Sequence, residues 1–201
     1  LTDEMVRFFN ARNFTVCVSW DGPHVRETRG YDVFSVPETR ERILALGHLC
    51  LSAVLSAKAY PREVLQAFQK ISEEYSAIHG YQIAVNLDEI MDTGLPKKNL
   101  LDIDYSRVKR EMKEMTLRFL DGFGKRVPPE RYTEEAYIRQ LFHCLKEFYL
   151  TGKGKWDRYT AACGNGLTVL NLDLEGNLYP CHNTSRKVGS IQDGYFTYLQ
   201  H

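Results

Sequence analysis

Three short apolar runs, separated by segments of helical character, most constrain the fold of this chain. FTVCVSW (14–20) is β-branched and aromatic with the length of a buried strand, LCLSAVLSA (49–57) is a second continuous apolar run, and YQIAVNL (81–87) is a third predicted strand. Residues 4–12 suit the end of a helix, and further helices are expected at about 37–46, 61–80, 104–122 and 133–150, of which 61–80 has a clear amphipathic pattern. Because strands alternate with helices, the sequence predicts an α/β fold with right-handed βαβ units and a parallel sheet.

Local signals mark the ends of several elements. Asp21-Gly22-Pro23 ends the first strand, and a polar loop is expected at 24–35. Ser35, Pro37 and Glu38 supply a capping residue, a helix-start proline and a reciprocal acid for the helix that follows.

Polar residues gather where the three predicted strands end. They are Ser19-Trp20-Asp21, Ser56-Ala57-Lys58 and Asn86-Leu87-Asp88-Glu89. In parallel sheets and (β/α) barrels, ligands bind at the carboxyl ends of the strands, so these residues are candidates for a binding site. The alternative is that strand ends meet water and are polar for that reason alone.

A glycine- and lysine-rich break, TGKGK (151–155), precedes a C-terminal segment of different character. Alternating apolar residues on either side of a turn at Glu175-Gly176-Asn177 predict a β-hairpin there. Cys163 and Cys181 bracket this hairpin. A hairpin this small is marginal alone, so a metal or a cross-link at its base would help to hold it.

Spacing alone leaves the role of this cysteine pair open. A zinc site usually needs four ligands with two close pairs, and no C-x2-C pair exists in the sequence. The chain has 5 cysteines, and an odd number without regular spacing argues against a secreted disulfide framework. Two ligands of an incomplete site, a disulfide and coincidence remain as alternatives. Cys17, Cys50 and Cys144 are expected in the core as small hydrophobic side chains.

Composition excludes some classes of partner. The 26 basic and 26 acidic residues balance, so no basic excess points to nucleic acid or to an anionic membrane. The longest apolar stretch is too short to cross a bilayer, and the N-terminal residues do not form a signal peptide. The odd, irregularly spaced cysteines favour a reducing compartment, so we expect a cytoplasmic protein. Leu1 opens inside the helix predicted to end near residue 12, which suggests a piece of a longer chain.

Three blocks of sequence carry a family resemblance. The first is Ser19-Trp20-Asp21-Gly22-Pro23, the second is SAVLSAKAYPREVLQAFQKI (52–71), and the third is C-x12-G-x4-C at Cys163, Gly176 and Cys181, followed by Val188-Gly189-Ser190-Ile191. The first two resemble the SxDGP stretch of the fourth barrel strand, and the fifth strand with its helix, in radical S-adenosylmethionine (radical SAM) enzymes. The third resembles the opening of a SPASM-type auxiliary iron–sulfur domain. The resemblance covers nearly the whole chain.

The resemblance implies the second half of a partial (β/α)6 TIM-like barrel followed by a small β-hairpin auxiliary domain. Residues 1–150 would hold barrel strands 4–6, and 156–201 would begin the SPASM domain. Half a barrel would expose the edge of its parallel sheet, so we expect the chain to cover this sheet edge by self-association or with its own helices. Ser19 would face the ribose of S-adenosylmethionine, and Cys163 and Cys181 would bind an auxiliary [4Fe–4S] cluster. Such oxidoreductases mostly modify peptides or proteins through a 5′-deoxyadenosyl radical.

The chain also departs from the family pattern. It contains no C-x3-C-x2-C motif for the radical cluster and lacks the later C-x2-C-x5-C cysteines, so we expect no radical activity from it alone. His182 stands where sulfatase-maturating relatives have an acid that takes up a proton. A histidine can do this near neutral pH, or it can be an exposed loop residue. The alternative functions are a cluster-free protein- or peptide-binding domain and an unrelated disulfide- or zinc-stabilised module.

Overall fold

A computed structural model of the protein describes residues 1–89, 98–151, 171–179 and 187–192. The chain divides into two units, Leu1–Phe142 and His143–His201. The helices are α1 (Asp3–Ala11), α2 (Val25–Arg29), α3 (Pro37–Leu44), α4 (Pro61–His79), α5 (Tyr105–Asp121) and α6 (Tyr132–Thr151). The strands are β1 (Val16–Ser19), β2 (Leu49–Leu55), β3 (Ala84–Glu89), β4 (Asn171–Leu172), β5 (Asn177–Tyr179) and β6 (Gly189–Ser190).

The first unit is built on a parallel sheet of β1, β2 and β3 in sequence order. Helix α3 connects β1 to β2, and α4 connects β2 to β3. The expectation of an α/β fold with three parallel strands is confirmed. Because both crossovers join neighbouring strands with the same hand, their helices pack on the same face of the sheet.

One hydrophobic core joins that face of the sheet to the helices. Leu51 and Ala53 of β2 are fully buried against Val64 and Phe68 of α4. Residues of α5 and α6, including Met115, belong to the same core. Burial of this apolar surface is the main stabilising contribution to the unit.

Helix α4 shows how local sequence sets the ends of an element. Pro61 stands at the first helical position, and the Tyr60 N–H donates to Glu63 Oε1 at 3.1 Å. Gly80 ends the helix with a φ of 77°, a left-handed conformation that glycine adopts without steric cost. In the helix interior, the Tyr75 hydroxyl donates to the carbonyl oxygens of Leu46 and Gly47, at 3.0 and 2.8 Å. It thereby holds the end of the α3–β2 connection against α4.

Two local predictions between β1 and α3 are wrong. The stretch 24–35 is not only a polar loop, because it contains α2 and a 3-10 turn at Val33–Ser35. Ser35 does not cap α3, whose N-cap residue is Val36. The Ser35 hydroxyl instead donates to the Asp32 carbonyl oxygen at 2.8 Å, and Asp32 Oδ1 accepts the Phe34 N–H at 3.0 Å. The Ser35 hydroxyl is therefore taken up by a hydrogen bond within the local turn and does not cap the helix.

The second unit contains the predicted hairpin, with β4 and β5 antiparallel. Strand β6 adds a third antiparallel strand beside β5, which the sequence reasoning did not foresee. The turn is held by Asp173, whose carboxylate accepts the backbone N–H groups of Glu175 and Asn177 at 3.0 and 2.8 Å. Hydrogen bonds, first of all from the Asn177 side chain, lower the pKa of Asp173.

None of the helices in the described ranges has both the length and the apolar character needed to cross a membrane.

Candidate functional site

The two faces of the β1–β3 sheet carry different kinds of side chain. The face toward the helices is apolar and buried, with Leu51, Val85 and Leu87 at its centre. The opposite face, which we call the polar face, carries Cys17, Ser19, Cys50, Ser52, Val54, Ala84, Asn86 and Asp88. The strand register places these residues in rows, because directly paired positions in a parallel sheet point the same way: Cys17–Cys50–Ala84, Ser19–Ser52–Asn86 and Val54–Asp88.

The two rows nearest the carboxyl ends of the strands form a polar network. Asn86 Nδ2 donates to Asp88 Oδ2 at 2.8 Å and lies 3.5 Å from Ser52 Oγ. The Ser52 hydroxyl lies 3.4 Å from the same Asp88 oxygen. The Asp88 carboxylate is therefore close to both polar side chains, and because Asp88 is exposed it also remains accessible to solvent. The arrangement can accept hydrogen bonds from the hydroxyl or amino groups of a bound small molecule.

Ser19 extends this network to β1. It pairs with Ser52 in the register and is exposed. Within the described part of the chain its hydroxyl forms no hydrogen bond, so it can serve a ligand. The charge of Asp88 also acts on Tyr137 of α6. The pKa of the Tyr137 hydroxyl is raised mainly by burial and to a smaller extent by the negative charge of Asp88.

The next two residues after Ser19 have structural roles. Trp20 is buried, packs edge-on against Phe34 and donates from Nε1 to Asp32 at 3.0 Å. Asp21 is only 2% exposed, and both of its carboxylate oxygens are engaged. Of the first predicted strand end, only Ser19 is therefore placed to meet a ligand.

Asp21 fixes the loop after β1 to the neighbouring strand. It forms a two-point ion pair with Arg29, from Nε to Oδ2 and from Nη2 to Oδ1, both at 2.9 Å. Thr28 Oγ1 donates to Oδ2 at 2.6 Å, and the Val54 N–H of β2 donates to Oδ1 at 3.0 Å. The carboxylate thus holds α2 and β2 together at the carboxyl end of the sheet.

Gly22 is required at its position for two reasons. Its φ is 69°, in the left-handed region. A Cβ added there would lie 3.3 Å from Ala67 Cβ and 3.5 Å from the Val64 Cα of α4. The loop therefore passes close to the helix, and a side chain would push the two apart.

A charged cluster that sequence reasoning missed is formed by residues of the segments that follow β1 and β2 and by one residue of α5. His24 Nδ1 is 3.1 Å from Glu27 Oε1, and Lys58 Nζ is 3.7 Å from Glu27 Oε2. The hydrogen bond with His24 lowers the pKa of Glu27. Arg107 lies 3.5 Å from Glu63 and stacks over the Tyr60 ring. The signs alternate, so the cluster is largely neutralised within itself.

The other two predicted strand ends differ from each other. Strand β2 ends at Leu55, and Ser56 is buried in a turn in which its N–H donates to the Ala59 carbonyl at 3.1 Å. Asn86 and Asp88 lie within β3 and point to the polar face. The structure therefore brings Ser19, Asn86 and Asp88 into one region and leaves Ser56 outside it.

The prediction that Cys17 and Cys50 are core residues is wrong. Cys17 is exposed and Cys50 is partly exposed, because both lie on the polar face. They occupy directly paired positions on β1 and β2. The apolar runs predict buried strands, whereas in the structure only the face toward the helices is well buried.

The predicted iron ligands Cys163 and Cys181, and the candidate proton acceptor His182, lie outside the described residues. The neighbouring hairpin nevertheless explains two positions of the third sequence block. A Cβ on Gly176 would lie 2.9 Å from Ile191 Cγ1, and the Ile191 N–H donates to the Gly176 carbonyl at 2.9 Å. Among the described residues, no group of three or more His, Cys, Asp or Glu side chains is arranged to hold a metal ion.

In comparisons with known proteins, no family model and no curated protein matches the chain.

Proposed function

We propose that the chain is a portion of a radical SAM enzyme with a SPASM-type auxiliary domain, acting on a peptide or protein. In that class, a reduced [4Fe–4S] cluster cleaves S-adenosylmethionine to methionine and a 5′-deoxyadenosyl radical, which removes a hydrogen atom from the substrate. The sheet of the first unit would be the second half of a partial (β/α)6 barrel, and the hairpin would begin the auxiliary domain.

The observation that carries the proposal is the polar row Ser19–Ser52–Asn86 with Asp88 beside it. The row begins at the carboxyl end of β1 and crosses the middle of β2 and β3, and Asp88 lies nearer the carboxyl end of β3, all on the face away from the helices. This face would line the inside of a barrel, and a cofactor would bind toward the carboxyl ends of its strands. The row offers hydroxyl, amide and carboxylate groups, which fit the hydroxyls of a nucleoside.

The roles of the residues in Ser19–Pro23 also support the proposal. Ser19 points to the polar face, Asp21 ties the loop to β2, and Gly22 allows the close approach to α4. Three positions of the SxDGP pattern, Ser19, Asp21 and Gly22, are therefore consistent with the roles that the proposal gives them. Ser19 would orient the ribose by hydrogen bonding, and Asp21 would hold Ser19 in position without touching the cofactor.

The roles of Cys163, Cys181 and His182 remain predictions from the resemblance. The two cysteines would hold an auxiliary [4Fe–4S] cluster, and His182 would accept a proton during turnover. The 201 residues contain no C-x3-C-x2-C motif, so the radical cluster would require cysteines outside them. This absence favours the second candidate, a cluster-free domain that binds a protein or peptide.

The test is anaerobic expression of the complete protein that contains this chain. We expect a brown protein that absorbs near ~400 nm and releases 5′-deoxyadenosine when it is reduced in the presence of S-adenosylmethionine. Cys181→Ala should lower the iron content, whereas the matched control Cys144→Ala should not. Ser19→Val should weaken S-adenosylmethionine binding and leave the iron content unchanged.

Two results would overturn the proposal. A colourless complete protein without iron that still binds a peptide would establish the cluster-free alternative. Equal iron content in the wild type and in Cys181→Ala would remove the auxiliary-cluster assignment.

A further inference from the structure

Cys17 and Cys50 form a pair of thiols to which the proposed function gives no role. They occupy directly opposite positions on the adjacent parallel strands β1 and β2, and both side chains point to the polar face. Adjacent strands lie about 4.8 Å apart, which falls within the roughly 4.4–6.8 Å between Cα atoms that a disulfide spans. Both cysteines are free thiols, and Cys17 is exposed to solvent.

We propose that Cys17 and Cys50 form a dithiol site that reacts with low-molecular-weight disulfides, such as oxidised glutathione, and closes as a cross-strand disulfide. The inference rests on the strand register and on the exposure of the pair. It does not depend on an iron–sulfur cluster or on S-adenosylmethionine.

The two thiols have different roles because their pKa values are shifted in opposite directions. A hydrogen bond from Cys50 lowers the pKa of Cys17 to about 7, and the same interaction raises the pKa of Cys50. Burial and, more weakly, the charge of Asp88, which lies on β3 two rows further along the polar face, raise the pKa of Cys17 and oppose this effect. Cys17 is therefore the attacking thiol near neutral pH, since the thiolate is the nucleophile.

The reaction takes place in two exchanges. The Cys17 thiolate attacks one sulfur of the small disulfide, the S–S bond breaks, and one small thiol leaves with a proton from solvent. Cys50 then loses its proton and attacks the Cys17 sulfur, and the second small thiol leaves. The two protein thiols are oxidised by two electrons, and the small disulfide is reduced to two thiols. Cys50 becomes easier to ionise at the second step, because Cys17 no longer carries a charge.

The sequence makes the product easy to locate. Tryptic cleavage places Cys17 in peptide 13–26 and Cys50 in peptide 43–58, each as its single cysteine. The other cysteines fall in peptides 140–146 and 159–186. After the reduced chain reacts with oxidised glutathione at pH 7, mass spectrometry should find peptides 13–26 and 43–58 joined, with two hydrogens lost.

Two variants of Cys50 separate its roles. Cys50→Ser keeps a hydrogen-bond donor but has no thiol, so the glutathione adduct should accumulate on Cys17. Cys50→Ala removes the donor as well, so the pH midpoint for Cys17 alkylation should rise from about 7 toward 8.5 or above. At pH 7, alkylation of Cys17 should be about three- to sixfold slower in Cys50→Ala than in the wild type. The variant has less thiolate at this pH, but each thiolate is more nucleophilic, which offsets part of the loss. The matched control Cys144→Ser should change neither result.

Three outcomes would overturn the proposal. The first is glutathione spread evenly over all cysteines, with no joined pair of peptides. The second is a stable adduct on Cys17 in the wild type. The third is a pH midpoint for Cys17 that is the same in the wild type and in Cys50→Ala while circular dichroism shows that both are folded.

Discussion

Replacing Asp21 by asparagine tests the account of the loop after β1. The carboxylate is almost fully buried and accepts four hydrogen bonds, from Thr28, from two nitrogen atoms of Arg29 and from the Val54 N–H. An asparagine has the same shape but only one acceptor oxygen. Its NH2 group would face a donor on Arg29, so at least one buried donor loses its partner.

The magnitude follows from these contacts. Removing one partner of a buried ion pair costs about 3–5 kcal/mol, and a hydrogen bond to a charged group is worth about 1.5–3 kcal/mol. The Arg29 side chain is 32% exposed, so water takes over part of its solvation and the loss is smaller. We expect Asp21→Asn to lower the free energy of unfolding by about 2–4 kcal/mol. With a urea dependence of about 2 kcal/mol per molar, the midpoint falls by about 1–2 M.

The assay is urea unfolding followed by circular dichroism at 222 nm, which reports on the helices. The matched control is Asp3→Asn, which removes an exposed ion pair with Arg42 and should leave the midpoint close to that of the wild type. If Asp21→Asn unfolds at the same urea concentration as Asp3→Asn, the buried network does not hold the loop and the reasoning is wrong.

Three further predictions follow from single contacts. Gly22→Ala should lower the free energy of unfolding by about 1 kcal/mol more than Gly30→Ala in urea titrations. Both glycines have a positive φ, but only a Cβ added at Gly22 would lie within 4 Å of atoms of α4; equal losses would contradict the close approach of the loop to α4. Thr133→Val should cost about 1–2 kcal/mol in the same titration, because it removes the 2.8 Å hydrogen bond to the Leu65 carbonyl; an unchanged midpoint would refute this. The pKa of Asp173 is lowered in the folded hairpin, so its contribution to hairpin stability is present above the unfolded pKa of about 3.9 and is lost as the pH falls below that value. The amide NMR signals of residues 171–179 should lose dispersion in this acidic range, and Asp173→Asn should remove the pH dependence of the dispersion.

The helices could be predicted from the sequence because their signals are local. The pattern of α4 predicts a helix over 61–80, and the structure has Pro61–His79. The short helix α2 could not be found in this way. It is held by the contacts of Thr28 and Arg29 with Asp21, and no periodicity over five residues reveals such contacts.

The composition of the polar face could have been predicted but was not. Within the apolar runs, Cys17 and Ser19 stand at every second position and follow Val16 and Val18, and Asn86 and Asp88 in the same way follow Val85 and Leu87. Period-two alternation is the signal of a half-buried strand. The runs have the length of buried strands, and the cysteines inside them are expected from the sequence to be core residues. This expectation conceals the pairing of Cys17 with Cys50.

The same alternation bears on the architecture. A doubly wound sheet needs a second layer of helices, and each of its faces must then offer large apolar side chains to that layer. The polar face of β1–β3 offers thiols, hydroxyls, an amide and a carboxylate, with Val54 as its largest aliphatic residue. Such a surface buries little apolar area against a helix and would leave polar groups without partners. The side chains of this face are therefore better suited to contact with a ligand and water than to packing under a second layer of helices.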